Sequence, residues 1–374
     1  MSVVLIVSNT AWSIFNFRAG LIAALRAGGF RVVAVAPPDA YADRIPSLGC
    51  VYVPLPMDNR GRNPFLDAVL FARLLLIFAR EKPSCVLSFT VKPNIYGSIA
   101  ARLLGIPVVA NIAGLGSIFV NDSPTQSLVR WMYRTALARS QRIFFQNPDD
   151  QELFVSRGIV KPEVSEVLPG SGVNTTYFSP RPQASTDGLI RFLFMGRLLR
   201  EKGVSEFIAA ARALRSRHPM TRFQILGFAG ITNPSLIGSA EILSWVKEGI
   251  VENLGETDDV RPYLAQADCI VLPSYYREGV PRSLLEAASM GKPIITTDMP
   301  GCRAAVVDGK TGFLVKPRDV PDLVNKMAAL LDLPKPDREV MGKNGRQHIQ
   351  KNFDEQIVIA RYLQVVTRGA SQTS

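Results

Sequence analysis

Short, continuous apolar runs alternate along this chain with longer stretches in which apolar residues return at helical spacing. In the first half the runs fall at 3–7, 31–36, 51–54, 85–88, 108–111 and 142–145. Helical patterns lie between them, among them 17–27, stopped by Gly28 and Gly29, and 65–80. A run that is apolar throughout reads as a strand buried on both faces, the environment of a parallel sheet. Strands alternating with helices build βαβ units, so the expected first domain is doubly wound, with ligand-facing loops at the carboxyl ends of its strands. Those loops are 9–17, 89–93 and 111–119.

The pattern breaks at residues 168–185, L-P-G-S-G-V-N-T-T-Y-F-S-P-R-P-Q-A-S, where Gly, Pro, Ser and Thr dominate. It resumes with runs at 191–195, 222–226, 251–254, 269–272 and 294–297. The expected organisation is an α/β chain of two doubly wound, Rossmann-like domains, over 1–168 and 186–352, joined by a linker over 169–185. A last segment, 353–374, carries a helical pattern at 354–367 that can cross back onto the first domain.

Composition narrows the class. The 374 residues, 47% hydrophobic and 20% charged, suit two globular cores and exclude a disordered or collagenous chain. Cys50, Cys85, Cys269 and Cys302 are scattered without metal-ligand spacing, as expected of buried free thiols in a reducing compartment. The opening run is strand-sized and has no basic leader, so no signal peptide is expected. Charge is uneven: residues 1–142 hold 15 Lys or Arg against 6 Asp or Glu, a net +9 out of the total +11. Such a half suits phosphates or anionic lipid; no zinc-finger, RNA-recognition or Arg-rich arm pattern points to nucleic acid.

Candidate chemistry concentrates at residues 277–291, R-E-G-V-P-R-S-L-L-E-A-A-S-M-G, between two apolar runs. Pro281 suits a first helical position, which leaves Glu278 in the loop at the helix mouth and Glu286 inside the helix. The mouth itself, around Val280, Arg282, Ser283 and Leu284, offers N–H groups to phosphate. An ionised carboxylate has two acceptor oxygens, so Glu286 can hold a ribose diol, while Glu278 can reach hydroxyls of a sugar borne on the phosphate. The run at 191–195 leads into G-R-L-L-R-E-K-G, placing Gly196, Arg197 and Lys202 just past a strand end. On that segment alone the two cations are equally ordinary surface charges. In a doubly wound domain, however, both loops open on one edge of the sheet, and two cations suit a diphosphate both bound and leaving. L-G-E-T, with Glu256 and Thr257, ends a strand where a base can be held through the backbone. In the first domain Asn16 and Lys92 lie in these loops and Arg18 just past the first of them, and N-I-A-G-L-G-S-I-F carries Asn111, Gly114 and Gly116. The glycines either make a turn or let backbone approach a ligand. Arg18 and Lys92, taken singly, read as solvated cations.

E-G-V-P-R-S-L-L-E, preceded by G-R-L-L-R-E-K-G and followed by G-K-P-I-I-T-T-D-M-P-G-C-R and D-G-K-T-G-F-L-V, resembles the retaining nucleotide-sugar glycosyltransferases of the GT-B fold with two glutamates seven residues apart. S-F-T-V-K-P-N-I-Y-G-S-I-A-A and A-G-L-G-S-I-F are similar to the bacterial subgroup that extends polyprenyl-diphosphate-linked saccharides for capsules, O-antigens or glycans. The resemblance implies two Rossmann-like domains facing across a cleft and transfer of a hexose or N-acetylhexosamine, from a UDP-sugar, with anomeric configuration kept. It implies that Arg197 and Lys202 bind the diphosphate, Glu286 the ribose, and Glu278 the sugar near C3 and C4. No metal or other cofactor is expected for the chemistry. Relatives place a first-domain histidine near the sugar; residues 1–180 here contain none, and Asn111 with the backbone at 114–117 is the local substitute. A nucleotide-sugar epimerase of this architecture, or a non-catalytic sugar-nucleotide-binding protein, remains the alternative. Paired carboxylates also serve as acid and base in glycoside hydrolysis, but opposite two cations they read as donor-positioning groups.

Two helical stretches suggest how a lipid-linked acceptor is reached. Residues 65–80, F-L-D-A-V-L-F-A-R-L-L-L-I-F-A-R, are apolar for a surface helix, and 128–139, L-V-R-W-M-Y-R-T-A-L-A-R, mix aromatics with arginines. Either packs into a core or lies in the interface of an anionic membrane. The expectation is a cytoplasmic protein, peripheral on the inner face of a bacterial plasma membrane.

Overall fold

The run V-V-L-I-V forms β1 (Val3–Val7), fully buried from Val4 onward. The computed structural model describes residues 1–58, 63–115, 124–182, 187–227, 233 and 235–372. A first unit, Met1–Ser171 with Glu355–Ser374, is built on β1. It adds β2 (Arg31–Ala36), β3 (Val51–Pro54), β4 (Cys85–Phe89), β5 (Val108–Ile112), β6 (Arg142–Phe145) and β7 (Ser165–Val167). Among the described residues these form one parallel sheet in the order β3-β2-β1-β4-β5-β6-β7. The chain winds outward from β1 to β3, then returns to lay β4 on the other flank of β1. That reversal makes the carboxyl ends of β1 and β4 a switch point, where an open α/β sheet leaves a crevice.

Helices cover both faces. Helix Ala11–Ala27 and the C-terminal helix Glu355–Gln372 bury one face, the latter with Val358, Ile359, Tyr362, Val365 and Val366. Arg361 fastens this last helix by a two-pronged bond to Glu166 of β7, at 2.5 and 2.6 Å. The opposite face carries helices Pro64–Glu81, Ser98–Leu103 and Pro124–Leu137.

The second unit, Gly172–Asp354, repeats the plan. Its strands are β8 (Ile190–Met195), β9 (Thr221–Leu226), β10 (Glu252–Asn253), β11 (Cys269–Leu272), β12 (Ile294–Thr297) and β13 (Gly312–Val315). They form a parallel sheet ordered β10-β9-β8-β11-β12-β13, with its switch point at β8 and β11. Helix Arg282–Ser289 follows β11 and buries Leu284, Leu285 and Ala287 in the core around Phe192, Phe194 and Ile270.

The structure departs from the apolar pattern in four places. Helix Ala11–Ala27 starts six residues before the expected 17, because the Thr10 hydroxyl accepts from Ser13 N at 3.1 Å and caps it directly after β1. Residues 172–182 of the expected linker lie in the second unit, where Phe178 is buried and its carbonyl accepts from Ser289 Oγ at 2.7 Å. Pro281 is the cap (φ −61°, ψ 119°) rather than the first helical residue. Strands β7, S-E-V, and β13, G-F-L-V, escape an apolar reading because each is an edge strand, one carrying two polar residues and the other opening on glycine.

Candidate active site

At the second switch point, the loop after β8 and the loop after β11 touch through backbone. The turn Arg200–Lys202 ends on Gly203 at φ +80°, and a Cβ there would stand 2.2 Å from the Pro273 carbonyl oxygen, so only glycine fits. Tyr275 N donates to the Glu201 carbonyl at 3.0 Å and ties the loops together. The turn aims Lys202 inward, and its side chain is only 11% exposed. There Lys202 Nζ donates to Glu278 Oε2, while Ser274 Oγ donates to Glu278 Oε1 at 2.7 Å. The Glu278 carboxylate, 13% exposed, is therefore gripped at both oxygens. Ser274 is itself fully buried, and its carbonyl accepts from Thr297 Oγ1 of β12.

In the helix that follows, Arg282 Nε donates to Glu286 Oε1 one turn on, at 3.1 Å, with both side chains nearly buried. Burial pushes the Glu286 carboxyl above its ordinary value of 4.5, and the Arg282 charge and hydrogen bond oppose that rise. Among the helix-mouth groups, Leu284 N–H is already bonded to the Pro281 carbonyl at 3.1 Å and the Leu284 side chain lies in the core. Val280 is likewise buried, so only its backbone can serve. Ser283 keeps a half-buried place in the first turn. Arg197 is exposed just past β8, beside Gly196, whose N–H bonds the Leu226 carbonyl. Glu256 is exposed, and Thr257 Oγ1 is engaged with Asp259 at 3.1 Å, closing the turn after β10.

In the first unit the expected ligand residues are mostly committed to structure. Arg18 is 7% exposed and lies 4.0 Å over the Phe89 ring, not solvated as its type suggests. Asn111 is buried: its amide donates to Tyr362 Oη at 3.0 Å and its side-chain oxygen accepts from Gln146 Nε2 at 3.2 Å. Its side chain is therefore already engaged within the first unit, and it helps to seat the C-terminal helix. Lys92 is not solvated either; it pairs with Asp67 at 2.5 Å, and Asp67 also accepts from Tyr96 Oη at 2.9 Å. Asn16 bonds the Trp12 carbonyl within its helix. Gly114 takes a positive φ of 115°, and Gly116 lies outside the described residues.

The Glycosyl transferase 4-like domain profile matches residues 17–170, and the Glycosyl transferases group 1 profile matches residues 178–348, which holds the Lys202–Glu278 pair. The chain belongs to the group 1 glycosyltransferases. It is 28% identical, over 96% of its own length and 97% of the relative's, to N,N'-diacetylbacillosaminyl-diphospho-undecaprenol alpha-1,3-N-acetylgalactosaminyltransferase of Campylobacter jejuni. It is also 28% identical to UDP-Gal:alpha-D-GlcNAc-diphosphoundecaprenol alpha-1,3-galactosyltransferase of Escherichia coli, over 75% of this chain and 74% of that one. Sucrose-phosphate synthase from Thermosynechococcus elongatus shares its fold, with a TM-score of 0.81, 20% identity and 100% coverage of both chains.

For a glycosyltransferase, the residue that sequence reasoning missed is Ser274. Its only signal is a serine at a strand end, four residues before Glu278. Its hydroxyl fixes one oxygen of Glu278 while Lys202 holds the other. Ser274→Ala is expected to lower kcat/KM about tenfold. The inhibition constant for free UDP should hardly move, and Ser274→Thr should restore most of the rate. Steady-state kinetics beside UDP inhibition checks this; an unchanged kcat/KM would refute the positioning role.

Proposed function

We propose that this glycosyltransferase moves a hexose or N-acetylhexosamine from a UDP-sugar to a saccharide carried on a polyprenyl diphosphate, with retention of anomeric configuration. The observation that carries the reading is the Lys202–Glu278 pair, held by Ser274 at the β8/β11 switch point, with the Arg282–Glu286 pair on the helix that follows. Lys202 and Arg197 meet the diphosphate charge, so the chain itself supplies what a bound metal otherwise would. Glu286 accepts from the ribose hydroxyls, and Glu278 from the donor sugar near C3 and C4. The bond from C1 to the phosphate oxygen breaks as the acceptor oxygen bonds C1 on the same face, and the departing phosphate oxygen takes the acceptor proton. Neither glutamate moves a proton. The acceptor assignment is supported by two relatives whose names specify undecaprenyl-diphosphate saccharides. With such an acceptor the enzyme would work peripherally at the inner face of a bacterial plasma membrane; among the described residues no helix is long and apolar enough to cross one.

A panel of nucleotide sugars against polyprenyl-diphosphate saccharides, read by product mass and anomeric configuration, tests the reading. A β-linked product from an α-linked donor would overturn retention, and donor interconversion without acceptor would favour an epimerase.

Glu286 adds a pH dependence. Its carboxyl titrates above 4.5 because it is buried, so it is protonated, and loses acceptor capacity, at a higher pH than an exposed glutamate. As pH falls through that raised value, KM for the donor should climb by up to about tenfold per unit. Glu286→Gln should show a high KM that is flat across the same range. A wild-type donor KM independent of pH down to 4.5 would contradict the assignment.

A further inference from the structure

Helix Pro64–Glu81 fully buries one stripe, Leu70, Leu74 and Phe78, against the sheet of the first unit, with Phe71, Leu75 and Ile77 partly buried beside it. Its opposite stripe should therefore be polar. Instead it runs Phe65, Ala68, Ala72, Leu76, Ala79, all exposed, with Phe65 at 73% and Leu76 at 70%. The arginines 73 and 80 flank that stripe and are exposed too. Two neighbouring helices on the same sheet face continue the pattern. Helix Ser98–Leu103 ends in exposed Leu103 and Leu104, and its Arg102 bonds the Thr135 carbonyl of helix Pro124–Leu137 at 2.8 Å. That third helix presents Leu128 at 57% and Trp131 at 63%, followed on the same side by exposed Arg134.

We infer that this helical face of the first unit is a docking surface for an anionic lipid bilayer, with helix Pro64–Glu81 lying flat in the headgroup layer. The helix is about 27 Å long, so Phe65 and Leu76 enter the acyl boundary several turns apart while the arginines meet lipid phosphates. Charge selects the occupant. The three helices contain only two carboxylates, Asp67 and Glu81, and both are already paired, with Lys92 and with Arg31 and Arg80. A second copy of the chain would bring arginines against arginines, whereas an anionic surface complements them. Sequence pattern leaves open whether residues 65–80 pack into a core or face lipid; one stripe does the first and the other is free for the second.

The surface deepens the reading of a membrane-borne acceptor and rests on it only for its purpose, since vesicle binding is measured without donor or acceptor. The protein is mixed with phosphatidylcholine vesicles containing phosphatidylglycerol, and with phosphatidylcholine alone, and separated by flotation. Binding to the anionic vesicles alone is expected, weakened by salt, and Trp131 should be quenched by brominated lipid in wild type but not report in Trp131→Phe. Phe65→Ser with Leu76→Ser should weaken partitioning about tenfold or more, as should Arg73→Glu with Arg80→Glu. UDP binding should stay at the wild-type level in both, showing that the chain is folded. Equal partitioning by wild type and both variants, or no partitioning at all, overturns the proposal. So does a sedimentation experiment showing a dimer that the same substitutions dissociate. Lipid binding without transferase activity would instead count against the proposed acceptor.

Discussion

Lys202→Ala is expected to lower kcat/KM for sugar transfer by about a thousandfold, the largest loss of any single side-chain truncation in the chain. The lysine has two tasks. Nearly buried, it faces Glu278 with its ammonium group against Oε2, and in the proposed reaction it meets the diphosphate charge that grows as C1 parts from phosphate. A cation aimed at developing charge inside a water-poor site counts for far more than one at the surface. The truncation also takes the cation from Glu278 Oε2 in a largely buried site, which should cost about 1–3 kcal/mol of stability. Lys202→Arg keeps the charge but exchanges a point cation for a planar fork in a space shaped for an ammonium, and should recover only part of the rate. Steady-state kinetics beside thermal unfolding separates the two tasks. Activity within about threefold of wild type in Lys202→Ala would remove the lysine from the mechanism.

How much of this is legible in the sequence depends on whether a feature is local. The strands of both sheets stand out because a parallel strand is apolar on both faces, and the exceptions, β7 and β13, are edge strands that need not be. Lys202 and Glu278 can be brought to one edge of the sheet from sequence because the order strand, loop, helix fixes where loops open. Their direct pairing through a shared turn of backbone cannot, since it depends on Gly203 packing against Pro273, 70 positions away. Ser274 is invisible for the same reason. Arg18 and Asn111 mislead because a residue type does not report its partners. A lone arginine on a helix is solvated in most contexts, yet here Phe89 covers it. An asparagine at a strand end is a good ligand group, yet here Tyr362 arrives from the far end of the chain to claim it.

Helix Pro64–Glu81 shows the complementary limit. Its composition reveals an excess of apolar residues, but composition has no direction. Only the burial of Leu70, Leu74 and Phe78 shows which residues the core uses and which are left over for another partner.

Gly301→Ala is expected to cripple the enzyme as severely as a substitution of a contacting side chain, although residue 301 has no side chain to contribute. Gly301 sits after β12 at φ +82°, in the left-handed region that L side chains avoid. A Cβ placed there would lie 2.0 Å from the Gly279 carbonyl oxygen and 2.7 Å from that of Glu278. Both are backbone atoms, so no side chain can swing aside; the loop carrying Glu278 must move, or residue 301 must. Either way Glu278 leaves the position defined by Lys202 and Ser274, and Cys302, buried next along the chain, is pulled with it. The strain and repacking should cost about 2–4 kcal/mol of stability, and kcat/KM should fall about a hundredfold in the protein that remains folded. Gly309, also at positive φ but with nothing within 4 Å of where a Cβ would stand, supplies the control. Gly309→Ala incurs the backbone strain alone, so it should lose stability while keeping near-normal kcat/KM. If the two alanine variants lose activity equally, the close approach at Gly301 does not position Glu278.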